Sequence, residues 1–291
     1  MPELPEVETV RRDLAPRVTG RRITGLDVKR GARRLLLGVP QRQLRDCLTG
    51  RRIDAMGRAG KYLLFHLDNG VSLVVHLRMT GSLRHRTADA PPDDFVRAVV
   101  SLDDGTELRF SDIRKFGTFE LVDDVASVTN KLGPEPLTPA FTEEALTATL
   151  ERRTAPLKSI LLDQRRVAGL GNIYVDESLF LAGLHPTVPA GALRPEERSR
   201  LHAAIEQTLR EGIYHRGASF RDYTDADGKA GSQQNFVRVF RRTGQPCDTC
   251  GAEIRRTVVG GRASHWCPRC QPVRQATRKP KRESKRKTAH S

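Results

Sequence analysis

The stretch Met1-Pro-Glu-Leu-Pro-Glu-Val-Glu-Thr-Val-Arg-Arg-Asp-Leu14 predicts a helix with an unusual chemical group at its start. Pro5 suits the first helical turn, where its missing N–H costs nothing, and the glutamates that follow complement the positive end of the helix dipole. Apolar residues recur at helical spacing: Val7, Val10 and Leu14. The segment therefore predicts a helix packed against a core, and we expect it to end before Pro16.

The unusual group is the nitrogen of Pro2. We expect Met1 to be removed, because a small proline follows it, and removal would leave a free secondary amine. Such a group titrates near ~8, so a useful fraction is neutral and able to form an iminium with an electrophilic carbon. Glu3 adjoins this amine, and Glu6 lies one turn further on. The alternative is that these residues only cap a helix.

Length and charge limit the functions that the chain can have. Its 291 residues can bury a sizeable core and suggest two domains with a small appendage. The net charge is +15, of which the segment 271–291 supplies +7, so the basic character is not confined to the tail. A polyphosphate partner fits this charge. No apolar run approaches a membrane span and no secretory leader opens the chain, so we expect a soluble, cytoplasmic protein.

The first half of the chain has a β pattern. Between about residues 22 and 123, short apolar runs at 35–37, 62–65 and 73–75 are separated by turn signals, and Asp68-Asn69-Gly70 and Asp103-Asp104-Gly105 mark hairpin turns. The pattern predicts a β-sandwich with the N-terminal helix packed on it.

The second half has a helical pattern. Residues 131–139 are rich in proline and glycine and predict an interdomain connector. Apolar positions then recur at helical spacing over residues 142–152, 157–162, 173–181 and 194–213. The polar, glycine-rich segment 216–235 that follows is long enough to be either filler or a functional lid.

A glycine-containing turn joins two of these helices at Ala168-Gly-Leu-Gly-Asn172. Gly169 and Gly171 allow positive φ and a close backbone approach, and Asn172 can cap the second helix, whose N–H groups suit a phosphate. A junction between two helices that binds no phosphate would show the same sequence pattern.

The cysteines give the strongest metal signal. Cys247 and Cys250 form one Cys-x-x-Cys pair, and Cys267 and Cys270 form a second. Four thiolates in this spacing predict one closed, structural zinc site, in preference to disulfides or a redox dithiol. We expect Cys47, which stands alone, to be a small buried hydrophobe.

In this order the motifs resemble those of the formamidopyrimidine-DNA glycosylase family, over about residues 1–270. The resemblance implies an α+β multidomain fold with a catalytic β-sandwich and a helix-two-turn-helix domain that bears a zinc-finger hairpin. The implied bounds are 1–130 for the sandwich domain, 131–141 for the linker, 142–235 for the helical domain with its lesion-capping loop, 236–270 for the zinc finger, and 271–291 for a basic disordered tail.

The resemblance also implies roles for individual residues. Pro2 attacks the sugar, Glu3 acts as general acid, Glu6 supports the site, and Lys61 reaches the damaged site and its phosphates. An apolar wedge with an arginine fills the gap left by an everted nucleotide, and the matching residues are Met79, Arg114 and Phe116. The matching phosphate-contacting residues are Lys158, Asn172 and Arg262, and the candidates for reading the lesion are Phe220, Arg221 and Tyr223. Taken singly, each of these could be a surface or packing residue.

The chain departs from the family pattern at three places. Arg78 stands where the family more often has glycine, and Ile113 where it more often has proline. The lid begins Gly217-Ala-Ser-Phe, whereas the family often has Gly-Gly-Thr-Thr. These departures concern base eversion and lesion preference.

The resemblance thus implies a bifunctional glycosylase and abasic-site lyase that removes oxidised purines, such as 8-oxoguanine and formamidopyrimidines, from double-stranded damaged DNA by β,δ-elimination. We expect a monomer in the bacterial cytoplasm, associated with the nucleoid, with one structural Zn²⁺ and no membrane partner. Two alternatives remain: an endonuclease VIII-like enzyme for oxidised pyrimidines, and a noncatalytic zinc-ribbon protein that binds lesions.

Overall fold

The computed structural model describes residues 1–273. The predicted α+β organisation is confirmed in this part of the chain: an N-terminal helix lies on a β-sandwich, and a helical domain follows with a C-terminal hairpin. The tail that we predicted to be disordered, residues 271–291, lies outside the described residues apart from its first three positions.

The sandwich consists of two four-stranded antiparallel sheets with strand orders β1-β6-β7-β5 and β2-β3-β4-β8. The strands are β1 (Ile23–Val28), β2 (Ile53–Ala59), β3 (Tyr62–Leu67), β4 (Ser72–His76), β5 (Gly81–Thr87), β6 (Val96–Leu102), β7 (Thr106–Asp112) and β8 (Thr118–Val122). Both predicted hairpin turns join neighbouring strands. Between the sheets, Phe110 and Phe119 pack edge to face with ring centroids 5.1 Å apart.

The first helix, α1 (Leu4–Val18), packs its apolar stripe on the sandwich. Val7, Val10 and Leu14 are fully buried, as their spacing predicted. Our expectation that the helix ends before Pro16 was wrong. Proline removes one backbone hydrogen bond, but the last turn is still closed by the bond from Thr19 N to Ala15 O.

Two further expectations about this half were also wrong. The leucine run at 35–37 is not a strand, since residues Arg33–Leu36 form a 3₁₀ turn. A helix that the periodicity did not reveal, α2 (Gln41–Leu48), follows it, and only Leu44 and Leu48 of that helix are buried. Cys47 lies on the polar side of this helix and is exposed, so it is not the buried hydrophobe that we predicted.

The second domain has its own core, built mainly by α6 and α7. Its helices are α4 (Glu143–Leu150), α5 (Leu157–Leu162), α6 (Asn172–Leu181) and α7 (Pro195–Tyr214), and the short α3 (Ala126–Thr129) precedes them. Each of the four predicted helices is present, with ends that differ by no more than two residues. Among the described helices none is long and apolar enough to cross a bilayer.

The start of α1 joins the two domains. Leu4 belongs to the core of the helical domain, whereas Val7 and the later apolar residues of α1 belong to the core of the sandwich. The Leu4 N–H donates to Gly169 O at 3.0 Å. A Cβ on Gly169, whose φ is +85°, would lie 2.6 Å from Leu4 Cδ1, so glycine is required for this approach.

The C-terminal hairpin consists of β9 (Arg255–Val259) and β10 (Arg262–Trp266) and is fastened to α6 by one carboxylate. Asp176 accepts hydrogen bonds from Lys158 Nζ at 2.6 Å and from the backbone N–H and ring Nδ1 of His265 at 2.9 and 3.0 Å. Ser264 Oγ is a further donor, at 3.2 Å. Asp176 and Lys158 are almost wholly buried, so each charge depends on the other.

We therefore expect Asp176→Ala to lower the free energy of unfolding of this region by about 3–5 kcal/mol, because it leaves the Lys158 ammonium buried without a counter-charge. Urea unfolding followed by the fluorescence of Trp266, the single tryptophan, measures the effect. Asp46→Ala is the matched control, since Asp46 is exposed on α2 and should change stability by only about 0.5 kcal/mol or less. Equal effects of the two substitutions would contradict the role given to Asp176.

Candidate active site at the junction of the two domains

A cavity of about 500 Å³ lies where the N-terminal segment meets the helical domain. Nine of the residues predicted from the sequence line it: Glu3, Lys61, Met79, Arg114, Asn172, Phe220, Arg221, Tyr223 and Arg262. Met1 also lines the cavity, whereas four of the predicted catalytic and DNA-binding residues lie outside the lining: Pro2, which is buried, and Glu6, Phe116 and Lys158. The chain therefore brings residues from seven separated segments to one cavity.

Glu3 is placed by the first turn of α6. Its carboxylate accepts from Ile173 N at 3.0 Å and Tyr174 N at 3.4 Å, the free amides at the positive end of that helix. A Cβ on Gly171 would lie 2.3 Å from Glu3 Cδ, so only glycine admits this carboxylate. Burial raises the pKa of the Glu3 carboxyl, although the Lys61 ammonium opposes the shift. The site thus favours the protonated acid, the form that can give a proton to substrate.

Glu6 connects the N-terminal segment with the loop after α7. Its Oε2 accepts from Glu3 N at 2.8 Å, while its Oε1 accepts from Tyr174 Oη at 2.6 Å and Ala218 N at 2.8 Å. A Cβ on Gly217 would lie 2.8 Å from Glu6 Cγ. Glu6 therefore fixes the backbone beside Pro2 and the start of the predicted lid with one carboxylate.

Lys61 enters the cavity from the tight turn between β2 and β3, where it is only 6% exposed. Its Nζ donates to Leu170 O at 2.8 Å, a carbonyl of the glycine turn. Burial lowers the pKa of the Lys61 ammonium, although the negative charges of Glu3 and Glu6 oppose the shift. The interpretation as a solvated strand-end lysine does not fit this burial.

The predicted wedge residues form one exposed group on the sandwich side. Arg114 Nη1 lies 3.0 Å from Met79 Sδ, and its guanidinium lies 4.7 Å from the ring centroid of Phe116. Asp112, which the sequence reasoning missed, accepts from the N–H groups of Phe116 and Gly117, both at 2.8 Å, and thereby shapes the loop.

Arg78 and Ile113, the two departures from the family pattern, both belong to these loops. Arg78 has a φ of +55°, in the left-handed region where glycine is unstrained, so a glycine would also suit this position. Ile113 is 49% exposed and lines the cavity. With both residues in place, Arg114 still contacts Met79 and Phe116.

The glycine turn and the zinc hairpin meet at the far side of the cavity. Asn172 is the first residue of α6, and Gly171, not Asn172, is the N-cap. Asn172 Nδ2 donates to Ala263 O at 3.0 Å, which places it beside the exposed Arg262 at the tip of the hairpin. Lys158 differs from our prediction: it is fully buried in its pair with Asp176 and also donates to Ala263 O at 2.7 Å, so its ammonium supports the hairpin and is not presented to a phosphate.

The three candidate lesion-reading residues have different environments. Arg221 is exposed, and Phe220 is half-buried against Phe240 with ring centroids 5.2 Å apart. Tyr223 is 7% exposed and packs in the sandwich core, with its hydroxyl 3.4 Å from Glu6 O. The loop is therefore anchored at Tyr223, while Phe220 and Arg221 are its more accessible members.

The four cysteines fit one zinc ion. Their Sγ atoms lie within 4.8 Å of one another, with Cys247–Cys270 at 3.9 Å and Cys250–Cys267 at 3.4 Å. A tetrahedral site with Zn–S bonds near ~2.3 Å needs sulfur atoms about 3.8 Å apart. The ion is structural, because four thiolates leave no position for water, and it holds the hairpin that carries Arg262.

Three family models match the chain along its length. The N-terminal domain of formamidopyrimidine-DNA glycosylase matches residues 1–119, and the H2TH domain of the same enzyme matches residues 132–224. A zinc finger found in FPG and IleRS matches residues 244–273.

Relatives agree over nearly the whole chain. The formamidopyrimidine-DNA glycosylase of Heliobacterium modesticaldum is 46% identical over 278 residues, which is 93% of this chain and all of the relative. The Lactococcus lactis Fpg bound to DNA with an abasic site is 39% identical with a TM-score of 0.86. The same Lactococcus lactis protein bound to FAPY-dG DNA is 38% identical with a TM-score of 0.85. In both comparisons the match covers 93% of this chain and 100% of the Lactococcus lactis chain.

The sandwich, helix junction and zinc hairpin around this cavity define a DNA glycosylase of the helix-two-turn-helix class. The chain belongs to the formamidopyrimidine-DNA glycosylase family.

Proposed function

We propose that this enzyme excises oxidised purines, such as 8-oxoguanine and formamidopyrimidines, from duplex DNA and then cleaves the strand at the abasic site. The observation that carries the proposal is the buried acid Glu3, which adjoins the Pro2 nitrogen and is held on the amides of α6 at the floor of a cationic cavity. Family membership and the FAPY-dG complex of a relative support the choice of substrate.

In the proposed chemistry, the neutral Pro2 amine of the chain without Met1 attacks the sugar C1′, the bond from C1′ to the base breaks, and the base leaves with the proton that the amine loses. Glu3 gives its proton to the ring oxygen, so the sugar opens to an iminium on Pro2. The iminium makes the C2′ protons acidic, and loss of one of them releases the 3′ phosphate. Loss of the C4′ proton from the resulting conjugated iminium then releases the 5′ phosphate. Water hydrolyses the remaining iminium and returns the amine.

The other residues are proposed to bind and orient the DNA. Lys61, Asn172 and Arg262 surround the cavity and suit the phosphates next to the everted nucleotide. Met79, Arg114 and Phe116 would fill the gap in the duplex. Glu6 would hold the backbone beside Pro2 and the start of the lid in fixed relative positions. Phe220 and Arg221 would cover the base, and Tyr223, which lines the cavity from the sandwich core, would anchor their loop. Residues of one chain line the whole cavity, which supports a monomer. We also propose that the enzyme is associated with DNA in the bacterial cytoplasm.

The nearest alternative is an endonuclease VIII-like preference for oxidised pyrimidines. The start of the lid, which departs from the family pattern, supports this alternative. The start Pro2-Glu-Leu-Pro-Glu6 favours the purine-acting branch. A noncatalytic lesion binder is a poorer fit, because binding alone needs no acid of raised pKa next to the terminal residues.

Strand cleavage of two duplexes, one with 8-oxoguanine and one with an oxidised pyrimidine, tests the proposal. Single-turnover assays should show faster excision of the purine, and the products should carry phosphates on both sides of the gap. Faster excision of the pyrimidine would establish the alternative enzyme. Tight binding of both duplexes without cleavage by protein that lacks Met1 would favour the binder.

The role of Glu3 predicts that Gly171→Ala reduces excision by about 100-fold, because the added Cβ displaces the carboxyl from the α6 amides. Single-turnover excision measures this loss, and circular dichroism checks the fold. Gly25→Ala is the matched control, since its Cβ would meet nothing within 4 Å, and we expect wild-type rates. Normal excision by a folded Gly171→Ala enzyme would be inconsistent with the placement of the acid.

A further inference from the structure

A second cavity of about 490 Å³ adjoins the active-site cavity. Both are lined by Phe220, Phe240 and Arg241, so these three side chains form the wall between them. The wall includes one exposed cation, Arg241, to which neither the motifs nor the proposed chemistry gives a task.

Arg241 is held by aromatic rings and not by acids. Its guanidinium lies 5.0 Å from the ring centroid of Phe220 and 6.0 Å from that of Phe240. Within residues 1–273 it has no hydrogen-bond or ion-pair partner. The next residue differs, because the Arg242 guanidinium pairs with Asp248 and donates to backbone carbonyls. The N–H donors of Arg241 therefore remain available to an acceptor outside the chain.

The backbone that presents Arg241 is both strained and fixed. Arg241 has a φ of +60°, a conformation that non-glycine residues adopt where the surroundings impose it. The fully buried Glu177 imposes it by accepting from the N–H groups of the three preceding residues, at 2.7, 2.9 and 2.8 Å. Glu177 lies on α6, the helix whose first amides hold Glu3. One short helix therefore sets the position of Arg241 relative to the acid.

The charge around Arg241 favours an anionic ligand. The active-site cavity is lined by five cationic side chains, Lys61, Arg114, Arg221, Arg241 and Arg262, against two acids, Glu3 and Asp222. Arg241 is exposed, whereas Glu3 lies at the floor and is 2% exposed. In a flipped nucleotide the base and sugar enter the site while the phosphodiesters stay at the surface. A phosphate is therefore the hydrogen-bond acceptor that an arginine at the protein surface would contact.

We propose that Arg241 is a further DNA-binding residue, which uses its ring-stacked guanidinium to hold a backbone phosphate of the damaged strand beside the everted nucleotide. The inference rests on the proposed function, because it assumes that the cavity receives that nucleotide. A phosphate contact here would add to those proposed for Asn172 and Arg262 from the side of the lid.

Binding of a duplex with a stable tetrahydrofuran abasic-site analogue, measured at several salt concentrations, tests the assignment. Arg241→Gln should weaken binding about tenfold at low salt and reduce the slope of log K against log salt by about one. Arg241→Gly removes the strain as well as the charge, so it should weaken binding equally while its melting temperature stays at or above that of the wild type. The control Arg42→Gln, which removes an exposed charge on α2, should leave binding and slope near wild type.

An unchanged slope and affinity for both Arg241 variants would overturn the inference. So would a loss confined to duplexes that carry an intact oxidised base, since that would assign Arg241 to the base. Failure of the proposed function has a different signature, because the wild-type enzyme itself would then not cleave lesion-containing DNA.

Discussion

The structure depends on the docking of residues 3 and 4 onto the glycine turn before α6. Glu3 binds the first amides of the helix, and Leu4 donates to Gly169 O while its side chain enters the core of the helical domain. Because α1 then continues into the core of the sandwich, this contact joins the two domains and places the Pro2 nitrogen between them. The reaction centre and the domain junction are therefore one structure.

Buried carboxylates organise the loops around this centre. Asp112 shapes the wedge loop, Asp176 fastens the zinc hairpin, and Glu177 fixes the segment before Arg241. Each accepts at least three hydrogen bonds from backbone or side-chain donors, which offsets the cost of removing the charge from water. Burial raises the pKa of Glu3 and also that of Glu177, but Glu3 differs from the other three because it adjoins Pro2 and lines the cavity. The proton-donor role that we propose for Glu3 therefore depends on its position as well as on its pKa.

Much of this arrangement could be predicted from the sequence, and the exceptions have physical reasons. The glycines at 169 and 171, the cysteine pairs and the apolar stripe of α1 are local signals with a direct structural meaning. The burial of Lys158 and the roles of Asp176 and Glu177 could not be predicted, because a charged residue in an apolar helix does not reveal its partner from a distant segment. Two acids at 176 and 177 within an otherwise apolar helix were the available signal. The helix at Gln41–Leu48 was missed because it buries only two apolar residues.

The central claim is that the nitrogen of residue 2, and not another amine, forms the bond to DNA. Lys61 is the amine to be distinguished from it, since it lies in the same cavity and burial lowers its pKa, but its Nζ is engaged with Leu170 O. The most direct measurement is borohydride trapping of protein lacking Met1 on abasic-site DNA, followed by proteolysis and mass spectrometry of the cross-linked peptide. We expect the adduct on the nitrogen of Pro2. An adduct on Lys61, or none from correctly processed protein, would contradict the account.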